Sequence, residues 1–316
     1  GGASRTFSAL ETGAYLVGEL TPPGWRVNNI SCSGDLDNGT ATVAANQVLI
    51  DLDAGESIVC TFANEPEGEP TSDTIYISVD RSGTIAGIAF DKADILRYTP
   101  SGQWQMYFDG SDVGLPVEGI RDFTLLSDGS ILLSLAKAVK MSDLGRVRPE
   151  DILRFIPGST GQTTSGTFQM YFDGSDVSLT SGGEAIDAFS FDTAGRLIVS
   201  TKGASVIKTP SSTLKSKNQD LLSFTFGTTG ESTSGSWAFY FDGSDVGLGK
   251  ENIDSLWIDP NNGDVYLSVV NSFSVPGASG GGGTIFVCDP GTLGDTTSCS
   301  YSRYWDAVEN GLNVNI

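Results

Sequence analysis

Histidine is absent from this chain of 316 residues. That removes the commonest general base and the commonest transition-metal ligand, and with them every Ser-His-Asp or Cys-His catalytic set. Basic residues are scarce: 18 Lys+Arg stand against 39 Asp+Glu, a formal charge of -21. Nucleic acid and anionic lipid both attract basic surfaces, so the charge argues against either as the main partner. It favours divalent cations instead. No run is apolar enough for long enough to span a membrane as a helix, so membrane insertion of that kind is excluded. No leader is visible and the chain starts with Gly1, so we expect either that a leader has been removed or that the chain is a fragment. What remains is rich in Gly, with 40 residues, and poor in charge, at 18%. Such a profile points to a secreted, extracellular or cell-surface β-protein.

Cysteine is also sparse. Cys32, Cys60, Cys288 and Cys299 fall into two local pairs, neither with the two-residue spacing of a zinc knuckle or redox motif. Disulfides Cys32–Cys60 and Cys288–Cys299 would place the chain in an oxidising compartment; buried free thiols are the alternative. The second pair closes "CDPGTLGDTTSC", read as a clipped hairpin loop.

The Pro- and Glu-rich stretch "NEPEGEPTSD" has no apolar period and divides the chain. We read residues 1–64 as one β-domain, 65–72 as a linker and 73–316 as a second region. In the first, "GAYLVGEL" alternates like a half-buried strand, "TPPGW" is a turn with an aromatic anchor, and "QVLIDLDAGESIVCTFAN" is a strand, a turn and a strand. Gly13, Tyr15, Glu19, Pro23, Gly24, Trp25, Cys32, Gly55, Glu56, Cys60, Thr61, Phe62 and Asn64 stand in the order of a known pattern. Over about residues 5–64 the chain resembles the prealbumin-like repeat domains of bacterial surface proteins, of Cna-B and SdrD-B type.

The resemblance implies a β-sandwich stalk or spacer. Some such modules carry a Lys–Asn isopeptide bond promoted by a Glu, and Glu19 and Asn64 match the Glu and Asn. The lysine belongs on a first strand, yet the first lysine of this chain is Lys92, so the chain cannot form that bond alone. A Cys32–Cys60 staple would replace it. Only "GGASR" precedes the pattern, so a first strand is expected to be missing and the sheet edge to be open. A second subunit donating a strand would cover it.

After the linker the chain repeats itself. "MYFDGSDVGL" returns as "MYFDGSDVSL", "FYFDGSDVGL" and a worn "RYWDAVENGL". Tyr107, Tyr171, Tyr240 and Tyr304 recur at intervals of 64, 69 and 64 residues. Around each lie strand, Asp-Gly, Ala-Gly or Asn-Gly turn, strand, then a third strand such as "ADILRYTP", a Gly/Ser/Thr loop and the outer strand. Four antiparallel strands per unit resemble a β-propeller blade. The fold is therefore read as all-β: a prealbumin-like sandwich followed by a propeller of four blades, with five as the rival count. The first blade lacks its first strand, and "NGLNVNI" at the end reaches only the start of one, so closure is expected by a short clasp or by further chain.

Asp109, Asp112, Asp173, Asp176, Asp242 and Asp245 recur at fixed offsets in the repeated loops. The leading reading is a joint between blades, with Asp-Gly turning and the second Asp capping free N–H groups. The alternative is calcium, with Glu118 and Asp122, Glu184 and Asp187, and Glu251 and Asp254 downstream to complete a shell. The EF-hand pattern is absent. A catalytic centre is a single asymmetric constellation, which a motif copied into every blade is not. Asp94, Asp151 and Asp220 of the "DIL" triplets read as strand caps, with a carboxylate ring around the channel as the alternative. Asn29 and Asn38 lie in glycosylation sequons.

These features lead to a structural role: a stalk or the subunit of an extracellular filament, self-associating by strand donation. The rival is a propeller lectin or adhesin binding glycans or surface proteins, with Trp104 and Trp237 as stacking platforms, although their alignment with Phe168 favours core packing. An enzyme is disfavoured.

Overall fold

The structure is a computed structural model that describes residues 4–19, 25–37, 39–44, 47–66, 73–208 and 213–316, and the statements below concern these. They fall in two compact units, Gly1–Pro70 and Thr71–Ile316.

In the first unit, β1 (Gly13–Gly18), β2 (Trp25–Ser33), β3 (Ala41–Ala44), β4 (Gln47–Leu52) and β5 (Val59–Pro66) form two small sheets. One has the order β1-β4-β3 and the other pairs β2 with β5. Tyr15 and Val17 are half-buried while Ala14 and Leu16 are exposed, so the alternation of "GAYLVG" sets the inner face. β1 lies at the edge of its sheet. Cys32 stands directly opposite Cys60 across β2 and β5, and the two are bonded. Asn29 is exposed, whereas residue 38 and the side chain of Asn64 lie outside the described residues.

The second unit is four blades. The first contains β6 (Ile75–Ile77), a side hairpin β7–β8 (Gly83–Ile85, Ile88–Phe90), β9 (Ile95–Tyr98) and β10 (Trp104–Phe108). The second contains β11 (Ile120–Leu125), β12 (Ile131–Leu135), hairpin β13–β14 (Val139–Met141, Gly145–Val147), β15 (Ile152–Ser159) and β16 (Ser165–Phe172). The third contains β17 (Ile186–Phe191), β18 (Leu197–Thr201), hairpin β19–β20 (Ser205–Lys208, Thr213–Ser216), β21 (Leu221–Thr228) and β22 (Ser234–Phe241). The fourth contains β23 (Ile253–Ile258), β24 (Val265–Val269), hairpin β25–β26 (Phe273–Val275, Ala278–Gly280), β27 (Thr284–Thr292) and β28 (Ser298–Asp306). Blades two to four are four-stranded antiparallel sheets and the first is three-stranded, β10-β9-β6. The side hairpin between second and third strands is a feature the sequence reading did not resolve: its strands are three or four residues long, too short for a period to show.

The core lies between blades rather than within them. Ile95 and Phe108 of the first blade pack with Ile131 and Phe155 of the second. Ile152 and Phe172 of the second pack with Phe189 and Phe224 of the third, and Leu221 and Phe241 of the third with Leu256 and Phe286 of the fourth. The phenylalanine of each "YFDG" is thus the plug carried into the next blade. Each is fully buried, which by area removed from water is worth about 2–3 kcal/mol.

The fourth blade meets the first at a seam. Leu312, Val314 and Ile316 pack with Ile75, Ile77 and Trp305. Beside β6, the N–H of Asp80 donates to the Asn315 carbonyl at 3.1 Å, and the Asn315 N–H returns to Asp80 Oδ1 at 3.2 Å. Cys288 is bonded to Cys299 across the outer hairpin of the fourth blade, and both pack in the core between the third and fourth blades rather than at this seam.

Candidate functional site

The repeated loops are cross-blade clips. Asp109 Oδ1 accepts from the backbone N–H and the hydroxyl of Ser111, and Asp173 and Asp242 do the same for Ser175 and Ser244. The second aspartate reaches across: Asp112, Asp176 and Asp245 accept the N–H of Thr164, Thr233 and Thr297 in the following blade, at 2.8, 2.9 and 3.0 Å. The same threonine hydroxyls accept the N–H of Asp109, Asp173 and Asp242. The aspartates of the "DIL" triplets lock the clip from inside. Asp94, Asp151 and Asp220 accept the N–H of Gly110, Gly174 and Gly243. Burial pushes Asp94 and Asp151 up to about 6, against the pull of these N–H groups. The glycine is needed for space: a Cβ on Gly110, Gly174 or Gly243 would lie 2.2 Å from a carbonyl oxygen of Ala93, Glu150 or Gln219.

Every aspartate of the motif therefore serves the chain's own backbone, which supports the joint reading. Among the described residues, the three acidic groups close enough to share one cation are Asp35, Asp37 and Glu56 in the first unit, not the loop aspartates. Those three also serve a turn: Glu56 accepts the N–H groups of Leu36 and Asp53, and Asp35 that of Thr40. Removing one clip tests the two readings of the repeat. Asp176→Ala should lower propeller stability by about 2 kcal/mol, because the Thr233 N–H loses a charged acceptor. Thermal melting with and without a calcium chelator checks it. The joint reading expects no chelator effect on either protein; the calcium reading expects a shift in the parent that the variant loses.

Where the second strand of each blade hands over to the third, the ring opens into an axial cavity of about 530 Å³. Its lining carries cations Lys92, Arg121 and Lys202, acids Asp80, Glu118, Asp187 and Asp254, and the amides of Asn218, Asn252, Asn271 and Asn315. Three of these hold one structural position. Arg121, Asp187 and Asp254 are each the second residue of an inner strand, β11, β17 and β23. Asp187, almost fully buried, pairs with the Arg121 guanidinium and accepts from Asn252 Nδ2 at 2.7 Å. Asp254 accepts from the Ser268 hydroxyl at 2.7 Å; desolvation, with Asp187 near, pushes it up to about 8.

Asp122 is not the counterpart of Asp187 and Asp254, as their shared place after a glutamate had suggested. It lies one residue further on, and in a strand that turns the side chain elsewhere. Its carboxyl is buried outside the cavity lining and accepts the N–H groups of Phe123 and Phe189, and so ties β11 to β17. Burial raises it well above the ordinary range. Nor are the two tryptophans platforms. Trp104 is buried and its indole donates to the Asn310 carbonyl, while Trp237 donates to Val177, both at 2.9 Å. Each hooks an outer strand onto the loop of the preceding blade.

Residues 1–66 match the family described as prealbumin-like fold domain. No curated protein matches the chain. Among solved structures, YCF48 bound to D1 peptide is similar at 11% identity, covering 97% of this chain and 89% of that one, with a TM-score of 0.26. The extracellular domain of the one-component system BT4673 from B. thetaiotaomicron is similar at 13% identity, covering 68% of this chain and 32% of that one, with a TM-score of 0.22. Neither superposition is close enough to place a residue of this chain on a residue of either protein. The chain is an all-β protein of the extracellular space or cell surface, a prealbumin-like domain followed by a four-bladed β-propeller, with two closed disulfides. Among the described residues no helix is long and apolar enough to cross a membrane.

Proposed function

We propose that this is a surface-binding protein: the prealbumin-like unit, of Cna-B or SdrD-B type, serves as a spacer, and the propeller presents its axial cavity to a glycan or another surface protein. One observation carries the reading. The blades repeat their clips and plugs, yet at the cavity the same inner-strand position is arginine, aspartate and aspartate. The position departs from the repeat only where it faces the cavity, and convergent polar groups in a cavity are the ordinary mark of a binding site. The amides and paired charges suit a ligand rich in hydroxyl or amide groups. The reading includes no chemical step. It is tested with a glycan array and purified surface proteins, against the protein and against Lys92→Ser/Lys202→Ser, which strips two cations from the cavity wall. A specific hit weakened tenfold or more by the double variant is expected; no hit, or hits indifferent to the variant, would overturn it.

A second reading, assembly by strand donation, is favoured by β1, which lies at a sheet edge with Leu16 61% exposed. Sedimentation at high concentration separates the two, since a monomer throughout would remove the filament.

A further inference from the structure

We infer that the axial cavity takes an anionic sugar, a ring whose hydroxyls accompany a carboxylate or a sulfate. The inference rests on the reading of that cavity as a binding site and names the class of its ligand. Two wall positions carry it. The carbonyls of Lys92, Pro149 and Asn218 hold one place in successive blades. They accept the N–H of Ile120, Ile186 and Ile253, the first residue of the next inner strand, at 2.8, 3.0 and 3.0 Å. The N–H groups of Ala136, Lys202 and Val270 hold another, donating to the carbonyls of Gly119, Ala185 and Asn252 at 2.9, 2.9 and 3.0 Å. Both duties belong to the backbone. Proline and asparagine meet the first as lysine does, and alanine and valine the second. The joint therefore gives no reason for either lysine side chain, yet Lys92 and Lys202 both line the cavity. The stem of Lys92 is held in place, since a Cβ on Gly119 would lie 2.4 Å from the Lys92 Cβ: bare backbone of the second blade packs directly on it.

The acids around them are already matched. Asp80 is held by the Arg81 guanidinium at 2.9 and 3.0 Å, Glu118 by Lys137 at 3.0 Å, and Asp187 by Arg121. Asp254 bonds the Ser268 hydroxyl and, pushed up to about 8 by desolvation, is uncharged at neutral pH. Among the described residues neither Lys92 nor Lys202 forms an ion pair or a side-chain hydrogen bond. Two uncommitted ammonium groups thus face the cavity of a chain whose formal charge is -21. Physiological salt screens charges beyond about 8 Å, so these two set the potential at the wall. The side-chain amides of Asn218 and Asn271, also in the lining, make no hydrogen bond with the described residues, and each offers donors and an acceptor to hydroxyls. A small ring with one anionic group matches this set. An acidic protein surface would bring many carboxylates against the acidic exterior and is repelled.

The test uses the full chain with its lysines dimethylated by carbon-13 formaldehyde, which keeps their charge, and follows the methyl signals by two-dimensional NMR. Methyl glucuronide is the probe, with glucose 6-sulfate, methyl glucoside and N-acetyl-aspartyl amide beside it. The Lys92 and Lys202 signals, assigned by their loss in Lys92→Gln and Lys202→Gln, are expected to shift and saturate with the glucuronide and to need at least tenfold more glucoside. Saturation by glucose 6-sulfate in its place supports the same site with sulfate as the anion. Each glutamine variant should weaken binding at least threefold. Lys140→Gln, an equal change of charge on an exposed lysine outside the lining, should alter it less than twofold. Equal weakening by all three would reduce the effect to net charge and overturn the inference. So would a glucoside or aspartyl amide that matches the glucuronide, or no shift at either lysine with either anionic sugar. The axial reading survives those results if a neutral glycan or a protein still loses tenfold in Lys92→Ser/Lys202→Ser, and falls with the inference if nothing does.

Discussion

Removing the Cys32–Cys60 bridge is expected to unfold the first unit and leave the propeller folded. Among the described apolar side chains of that unit, Val48 alone is fully buried, while Phe7, Leu10, Leu16, Leu36 and Val59 are exposed. A unit of about this size buries a small share of its surface and has little stability to spare. The bridge joins residues 28 apart. A closed loop of that length restricts the unfolded chain by about 3–4 kcal/mol, comparable with the whole stability of such a domain. Cys32→Ala/Cys60→Ala should therefore lose slow amide exchange across β2 and β5 at 25 °C while β11, β17 and β23 keep theirs. Cys288→Ala/Cys299→Ala serves as the contrast. Its loop spans 11 residues within a well-packed blade, so a loss of about 2–3 kcal/mol should lower propeller stability without unfolding it. Protection retained across β2 and β5 in the first variant would show that packing, not the bridge, holds the unit.

Arg121→Ala is expected to destabilise the propeller by about 3–5 kcal/mol, because it leaves Asp187 buried without its cation. Asn252 still donates one hydrogen bond to it, which does not replace the guanidinium. The effect belongs to the unpaired charge rather than to the pair as such. The double variant Arg121→Met/Asp187→Leu should therefore recover most of the loss, since replacing both partners by apolar groups of similar size is often neutral. Chemical denaturation of the three proteins at neutral pH checks it. A double variant no more stable than Arg121→Ala would mean that shape rather than charge sets the site. The comparison also bears on function. A protein that needs the ion pair only for its fold would keep ligand affinity in the recovered double variant; one that uses it for binding would not.

Much of the architecture was legible because its chemistry is local. "YFDGSD" carries an aromatic plug, a glycine that admits a close carbonyl and two capping carboxylates within six residues, so each copy announces a blade joint. The alternation in "GAYLVG" and the turns after "LLS" and "FDT" likewise depend on neighbours in sequence. The candidate site was less legible. Asp187 and Asp254 were noticed as acids, but their partner Arg121 was not, because the pairing spans 66 residues and the register is set by a shift of one. A strict alignment of the inner strands Ile120–Leu125, Ile186–Phe191 and Ile253–Ile258 contains the signal: arginine replaces aspartate at the second place and tryptophan replaces threonine or serine at the fifth. Trp104 and Trp237 were the more visible aromatics, yet they serve as indole hooks in the joints.

By itself, then, the sequence determined the period, the strand-turn-strand grammar and the two local cysteine pairs, all of which follow from residues near one another, while the structure showed both pairs bonded. Only the tertiary structure decided which threonine each loop aspartate clips, that Asp122 ties β11 to β17 while Asp187 and Asp254 line the cavity, and that Arg121 pairs with Asp187. The reason is reach: these contacts join residues 52 to 67 positions apart, so the register of one blade on the next decides them.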